Sequence, residues 1–348
     1  MELSWADIRL DLIHAFTIAH GTSDHRINTV VRLTHGGLTG FGLAAPNPRY
    51  GETPASTEAA LEAIADLLPD SPETFVDIMA AIDREIDGAY AAKAALDMAL
   101  FDLLGKSVGA PLHRLWGLAP EAMPPTSMTI GIDTPERVKA KVREVPQFKV
   151  LKVKLDGKDD RGLIRAIREV SDQTLRVDAN EGWHDREEAI HEIEWLANQG
   201  VELVEQAMPA SALGDNAWLK SRSPLPLIAD EAFCGARNLD EVSAAYHGIN
   251  LKLMKCGGLQ AAQKLIHLAR FFDLEIMLGC MVASSLSIAA AAQLAPLVDY
   301  VDLDGHLLVG NDPFEALGLN DGHLTMSNRP GLGAVLRDGV TLDFRRKP

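Results

Sequence analysis

Hydrophobic and polar positions repeat with two different periods along this 348-residue chain, and the change falls near residue 120. Before it, a β-branched run at 29–33 is followed by Gly36-Gly37 and a second short run at 39–43, the pattern of a β-hairpin. After Thr53 the spacing turns helical. Its longest stretch, about 89–105, carries Leu96, Leu100, Leu103 and Leu104 at the spacing of one buried helix face, with Gly105 and Pro111 as stop signals. Strands first and helices afterwards predict an α+β unit over residues 1–120.

From about residue 124 short apolar runs alternate with mixed polar segments. Strand-like runs at 127–130, 148–155, 175–177, 201–204, 227–229, 249–253, 276–278 and 300–303 are separated by helix-like stretches such as 187–199. This pattern predicts a parallel (β/α)8, TIM-type barrel over 121–312. An open doubly wound sheet is the alternative, but no Gly-rich fingerprint follows any early strand. The alternation lapses after that, and 313–348 is expected to fold back over the first unit as part of an α+β cap.

Charge narrows the range of functions. The chain has 33 Lys plus Arg against 49 Asp plus Glu, a formal net charge of −16, which disfavours nucleic acid and anionic membrane surfaces as partners. No secretory signal is expected at the N-terminus. The uncharged stretch 278–298 contains Gly279, Gln293 and Pro296 between acidic flanks, so it reads as a buried strand and helix rather than a membrane span. Cys234, Cys256 and Cys280 form no CxxC pair and read as small core residues of a reducing, cytoplasmic protein. A small-molecule substrate is the partner that remains, and a homo-oligomer is compatible with the composition.

The predicted strands end in charged residues. Lys152 and Lys154 close strand two, Asp178 strand three, Glu205 strand four, Asp230 strand five and Lys255 strand six, while Asp302 and Asp304 lie at strand eight. From Lys154 to Lys255 the steps are 24 to 27 residues, one βα unit each. In a barrel the C-terminal strand ends converge on one mouth, where active sites are built. Three carboxylates gathered there suit a hard divalent ion, Mg²⁺ first and Mn²⁺ second, and the lack of His or Cys at equivalent positions disfavours zinc. The plainer reading is that each acid caps the helix that follows; three in register between lysines favour the metal.

Lys152 and Lys154, two apart on a strand, point to the same face. Neighbouring ammonium groups near a divalent ion would lower each other's pKa toward that of a general base. Lys255, four strands further round, would face Lys154, whereas Lys252 reads as a snorkelling surface lysine. The set fits removal of a proton beside a carboxylate and return of a proton from the opposite face.

At these residues the chain resembles the enolase superfamily, muconate-lactonizing branch, and within it the dipeptide epimerases. The resemblance covers nearly the whole chain and includes GFGLAAPNPRYGET (40–53), AAKAALDMALFDLLGK (91–106), TSMTIGI (126–132), LKVKLD, VDANEGW, VEQAMP, ADEAF, NLKLMKCGGL, MLGCM and DLDG. It implies a modified (β/α)7β barrel with an α+β capping domain, Mg²⁺ on Asp178, Glu205 and Asp230, and Lys154 and Lys255 as the paired acid/base groups. Lys152 would assist at the substrate carboxylate, Asp302 and Asp304 would bind the free α-ammonium of a dipeptide, and Thr129 would contact the peptide. The implied reaction is a two-base 1,1-proton transfer through an ene-diolate that inverts the second residue.

The capping-domain loop 20–26, beginning at His20, departs from the pattern of Ala-Glu epimerases, which carry an arginine that meets the substrate's glutamate side chain. Ser23 occupies that position, Arg26 would serve only with a three-residue shift of register, and Asp24 would favour a cationic side chain. Leu43 stands where relatives often have Glu. Muconate cycloisomerase, o-succinylbenzoate synthase and N-succinylamino acid racemase share the metal and lysine layout but act on substrates without a free ammonium. Acid-sugar dehydratases usually place a histidine where this chain offers Lys255. A catalytically silent barrel used as a binding scaffold is the non-enzyme alternative.

Overall fold

The computed structural model describes residues 1–18 and 21–347; His20 lies outside them. It opens with a strand that the hairpin reading omits. Strand β1 (Glu2–Ile18) pairs antiparallel with β2 (Gly21–His35), which pairs with β3 (Leu38–Ala44). The signal for β1 is its alternation: Ile8 and Leu10 are buried, while Asp7, Arg9 and Asp11 are exposed. Between β2 and β3, Gly36 and Gly37 have φ of 58° and 78°, the left-handed pair required by a tight hairpin turn.

Helices α1 (Pro54–Ala65), α2 (Phe75–Glu85), α3 (Tyr90–Ser107) and α4 (Leu112–Leu115) complete the N-terminal cap. The expectation of a single buried face on α3 needs correction. Leu96, Leu100 and Leu103 are buried, but so are Ala91 through Ala95, Met98 and Phe101, and Leu104 is only partly covered. The helix lies between the sheet and the barrel. Its approach to β3 is close enough that a Cβ on Gly42 would stand 1.8 Å from the Ala95 carbonyl oxygen, so glycine and alanine are required on the facing surfaces. Asp102 ties the layers together, accepting hydrogen bonds from the amides of Phe41 and Leu332, each at 2.9 Å, and pairing with Lys106.

The barrel strands are β4 (Ser127–Ile130), β5 (Val150–Lys154), β6 (Thr174–Asp178), β7 (Val201–Glu205), β8 (Leu227–Ala229), β9 (Gly248–Lys252), β10 (Glu275–Gly279) and β11 (Tyr300–Asp302). They pair in chain order, all parallel, and a bridge between Thr126 and Val301 closes the ring. Helices α5 (Pro135–Glu144), α6 (Asp160–Arg168), α7 (Arg186–Ala197), α8 (Leu213–Lys220) and α9 (Leu239–Ala245) connect the first six strands. A one-turn helix, α10 (Leu253–Cys256), then precedes α11 (Leu259–Phe271), and α12 (Ser285–Ala292) joins the last two strands. The result is a (β/α)7β-type barrel under an α+β cap. The stretch 278–298 is indeed a buried strand end and a wholly buried helix. Among the described residues no helix is long and apolar enough to cross a membrane.

Beyond β11 the chain returns to the cap through the short strands β12 (Phe314–Glu315), β13 (Leu317–Asn320), β14 (His323–Met326) and β15 (Val335–Leu336). Trp5 and Arg345 exchange both backbone hydrogen bonds, and the Phe344 ring lies 6.4 Å from that of Phe41. The cysteines are free, but Cys234 is exposed rather than part of the core, because it sits on the loop after β8.

Cap and barrel meet at a buried carboxylate. Asp97 of α3 accepts hydrogen bonds from the amides of Leu259 and Gln260, the first turn of α11. Burial pushes its pKa up from 3.8 to about 7 despite those donors. The stability this group contributes is complete below its unfolded value of 3.8 and is lost as pH rises through about 7. Asp97→Asn keeps an acceptor and removes the titration. The stability difference between variant and wild type should therefore shift in favour of the variant by about 2–4 kcal/mol from pH 4.5 to 8.5. Urea unfolding at both pH values measures it, and a pH-independent difference would contradict the assignment.

Candidate active site

Strand register makes one site of residues far apart in the chain. Lys154 pairs with Asp178, and Asp178 with Glu205, so three strand ends lie level on one side of the ring. On the other side Lys252 pairs with Gly279, and Gly279 with Asp302. Asp230 follows the end of β8 between them. All these carboxylates are buried.

The ammonium of Lys152 is central to the cluster. It lies 2.6 Å from Glu205 Oε2, 2.7 Å from Asp302 Oδ2 and 3.2 Å from Asp178 Oδ2. Lys154 Nζ is 2.6 Å from Asp178 Oδ2, and Lys252 Nζ is 2.7 Å from Asp230 Oδ2. Burial disfavours the charge on Lys152, but Asp302, Glu205 and Asp178 outweigh it and hold the ammonium well above the ordinary lysine range. Three acids at 2.6 to 3.2 Å, rather than Lys154, dominate the surroundings of Lys152.

The helix-capping alternative also fails on geometry. Helices α6 and α7 take their caps from Asp159 and Asp185. Asp178 accepts the Asn180 amide at 3.0 Å but caps no helix. Glu205 receives Asn250 Nδ2 at 2.7 Å on Oε1, while Oε2 has no well-directed hydrogen bond beside its ion pair.

Lys255 needs correction. Strand β9 ends at Lys252, and Lys255 belongs to the following turn of helix. Lys252 is 8% exposed, so it is no snorkelling surface lysine, and it lines the mouth cavity of about 730 Å³ together with Lys152 and Lys154. Lys255 holds the other oxygen of Asp230, Oδ1, at 2.8 Å from outside that cavity. A legible signal separates the two lysines. Asn250 and Lys252 are two apart, as Lys152 and Lys154 are, and so share the inward face; a residue three further on does not.

Electrostatics at the mouth reflect a shortage of positive charge. Counted as ionised, Asp178, Glu205, Asp230, Glu231, Asp302 and Asp304 face four ammonium groups, and the site relieves that formal excess of two negative charges by raising Glu205, Glu231 and Asp304. Burial and the charges of Asp178 and Asp230 push Glu205 up to about 7. Burial and Asp230 push Glu231 to about 8. Asp230 shows the reverse: burial would raise it, but Lys252 and Lys255 hold it well below the carboxylate range. Among the described residues no three His, Cys, Asp or Glu side chains are assembled as a closed ligand set, because ammonium groups stand between the acids. The all-oxygen donor set and the mutual repulsion of Asp178, Glu205 and Asp230, which raises Glu205, nevertheless suit a hard divalent cation there.

The remaining expected residues divide. Asp302 is occupied on both oxygens, by Ser127 Oγ at 2.6 Å and by Lys152. Asp304 accepts the Thr129 amide at 2.6 Å, and burial together with Asp302 raises it to about 6. Both acids and Thr129 line the cavity. The expected loop 20–26 is, over its described residues, the start of β2: Ser23 and Arg26 pair with Phe16 and Leu10 of β1 and line the cavity, whereas Asp24 is 78% exposed at its side chain and pairs with His25. Burial lowers the pKa of Arg26, and among the described residues no carboxylate pairs with it. Sequence reasoning missed Ser127, Asn250 and the cap loop carrying Arg49 and Tyr50. In that loop Arg49 reaches across to Glu181 at 2.8 Å.

Residues 135–340 match the enolase C-terminal domain-like family, and residues 7–117 match the mandelate racemase / muconate lactonizing enzyme N-terminal domain. The chain belongs to this family of the enolase superfamily. It is 40% identical over 336 residues to the L-Ala-D/L-Glu epimerase of Bacteroides thetaiotaomicron, covering 96% of this chain and 88% of the relative. The substrate-liganded L-Ala-D/L-Glu epimerase from Bacillus subtilis superposes with a TM-score of 0.90 at 30% identity, over 96% of this chain and 98% of that one. A dipeptide epimerase from Cytophaga hutchinsonii, complexed with Mg and D-Ala-L-Val, superposes at 0.93 with 26% identity, over 99% and 98% of the two chains.

Asn250→Leu leaves Glu205 Oε1 without its donor in a buried site. We expect a loss of about 1–3 kcal/mol in urea unfolding without added metal, and an unchanged midpoint would show that this bond does not support the site.

Proposed function

We propose that this protein is a Mg²⁺-dependent dipeptide epimerase that inverts the Cα of the second residue, with Lys154 and Lys252 as the two proton-transfer groups. The observation that carries the proposal is the placement of these two lysines on β5 and β9, four strands apart around the ring, with the carboxylate cluster between them. The epimerases to which the chain is similar support it.

Asp178, Glu205 and Asp230 would hold Mg²⁺, which when bound lowers the cost of negative charge on the substrate carboxylate. Lys152, fixed as an ammonium among three acids, adds fixed positive charge on the same side. One of Lys154 and Lys252 removes the Cα proton, and the other returns a proton to the opposite face. Asp304 is the acid left to receive the dipeptide's α-ammonium, held toward the cavity by Thr129, while Asp302 acts by fixing Lys152. An N-acylated substrate would bring no cation to Asp304, which separates this reading from the cycloisomerase, synthase and N-succinylamino acid racemase alternatives. Ser23 forms part of the cavity wall. Arg26 supplies a cation for an acidic second residue, while the outward turn of Asp24 removes the support for a cationic one. The reading includes a cytoplasmic location, in keeping with three free cysteines.

The test is proton exchange of L-Ala-L-Glu and L-Ala-D-Glu in D₂O with Mg²⁺, followed by NMR. Lys154→Ala and Lys252→Ala should each lower interconversion by about 10²–10⁴-fold, yet each should still exchange one diastereomer, and not the same one. Loss of exchange from the same diastereomer in both variants would refute the two-base assignment. Arg26→Leu should raise KM for these acidic dipeptides at least about tenfold, the cost of about 1.4 kcal/mol of binding, and leave an apolar dipeptide little changed. Equal effects on both would remove Arg26 from the specificity account.

A further inference from the structure

Lys255 lies outside the cavity, but its ammonium is enclosed. It donates to Asp230 twice, to Oδ1 at 2.8 Å and to the backbone carbonyl oxygen. Two aromatic rings complete its surroundings: Tyr50 of the cap, 5.4 Å from Nζ to the ring centroid, and Phe233 of the loop after β8, 5.9 Å away. Both distances fall within the range at which a ring face attracts a cation. The Tyr50 ring therefore touches Lys255, Lys255 holds one oxygen of Asp230, and Lys252 holds the other. Gln206 fixes the same residue from a further side, its Oε1 accepting the Asp230 amide at 2.9 Å.

The geometry points to Lys255 as a positioning residue: clasped between Tyr50 and Phe233, it sets the orientation of the Asp230 carboxylate and through it couples the cap to the metal and to Lys252. A flexible lysine free in solvent loses its rotamer freedom on forming such contacts. Here two rings and two acceptors hold it in place. Asp230 consequently offers a fixed oxygen on the cavity side, whichever lysine receives the proton. This inference rests on the epimerase reading for its activity arm, and its metal arm does not.

Lys255→Met keeps the aliphatic stem between the rings and removes the charge. We expect Mg²⁺ affinity, measured by calorimetry on the full chain, to weaken by about 10–100-fold, as for loss of a group that orients a metal ligand. Solvent exchange from L-Ala-L-Glu and L-Ala-D-Glu should fall by similar factors, because Asp230 serves both directions. Lys255→Arg, which retains the cation and its donors, should recover most of both. Loss of exchange for one diastereomer with the other retained would overturn the inference by making Lys255 a proton-transfer group. Unchanged Mg²⁺ affinity in Lys255→Met would overturn it as well. Should wild-type protein exchange neither dipeptide, the epimerase reading fails, and the calorimetric comparison of wild type, Met and Arg variants still decides the role of Lys255.

Discussion

Burial of like charge at the barrel mouth is the constraint on which the rest of the structure depends. Parallel strands in register bring Asp178, Glu205 and Asp230 together, and isolated carboxylates in such a place would be costly unless paired. Lysines from β5, β9 and α10 offset much of that cost, and the raised pKa values of Glu205 and Glu231 relieve more of it. Asp178, Glu205, Asp230 and Asp302 thereby acquire fixed ammonium partners, and the geometry is set before any substrate arrives. Removing one partner exposes another to the full desolvation penalty, so the cluster acts as a unit.

The cap belongs to that unit. Asp97 bonds the first turn of α11, Ala45 N contacts Met254 Sδ at 3.2 Å, and Arg49 pairs with Glu181. These contacts reach the barrel on the side of the mouth, where the charged ends of its strands open. Small residues along α3 and β3 allow the cap sheet to approach the helix without a gap. Close packing of this kind places Tyr50 within reach of Lys255 and Arg26 at the cavity. In the proposed reaction the cap would contribute the groups that meet the substrate side chain, and the barrel those that move the proton.

Much of this was legible in the chain because barrel strands and their charged ends recur at nearly constant intervals. The runs at 127–130 and 227–229 coincide with β4 and β8, and the three acids could be placed at strand ends from spacing alone. Strand six was harder. Leu253 extends the apolar run beyond the true end of β9, and one residue of overreach is enough to favour Lys255 over Lys252. Strand β1 went unnoticed despite its alternation, since the β-branched hairpin after it gives a stronger signal. The buried surroundings of α3 and the outward turn of Asp24 depend on packing between distant segments, which local periodicity does not report. The occupation of Asp302 by Lys152 and Ser127 has the same origin: it follows from closure of the ring between β4 and β11.

The central claim is that two lysines on opposite faces share one proton-transfer reaction. The most direct measurement is early-time deuterium labelling by wild-type protein, starting from pure L-Ala-L-Glu in D₂O with Mg²⁺. Two bases predict that the epimerised product carries solvent deuterium at Cα from the first turnovers, since its proton comes from the second lysine and not from the substrate. Product that keeps the substrate's own protium at Cα, or no label in either diastereomer while Mg²⁺ binds, would contradict the account.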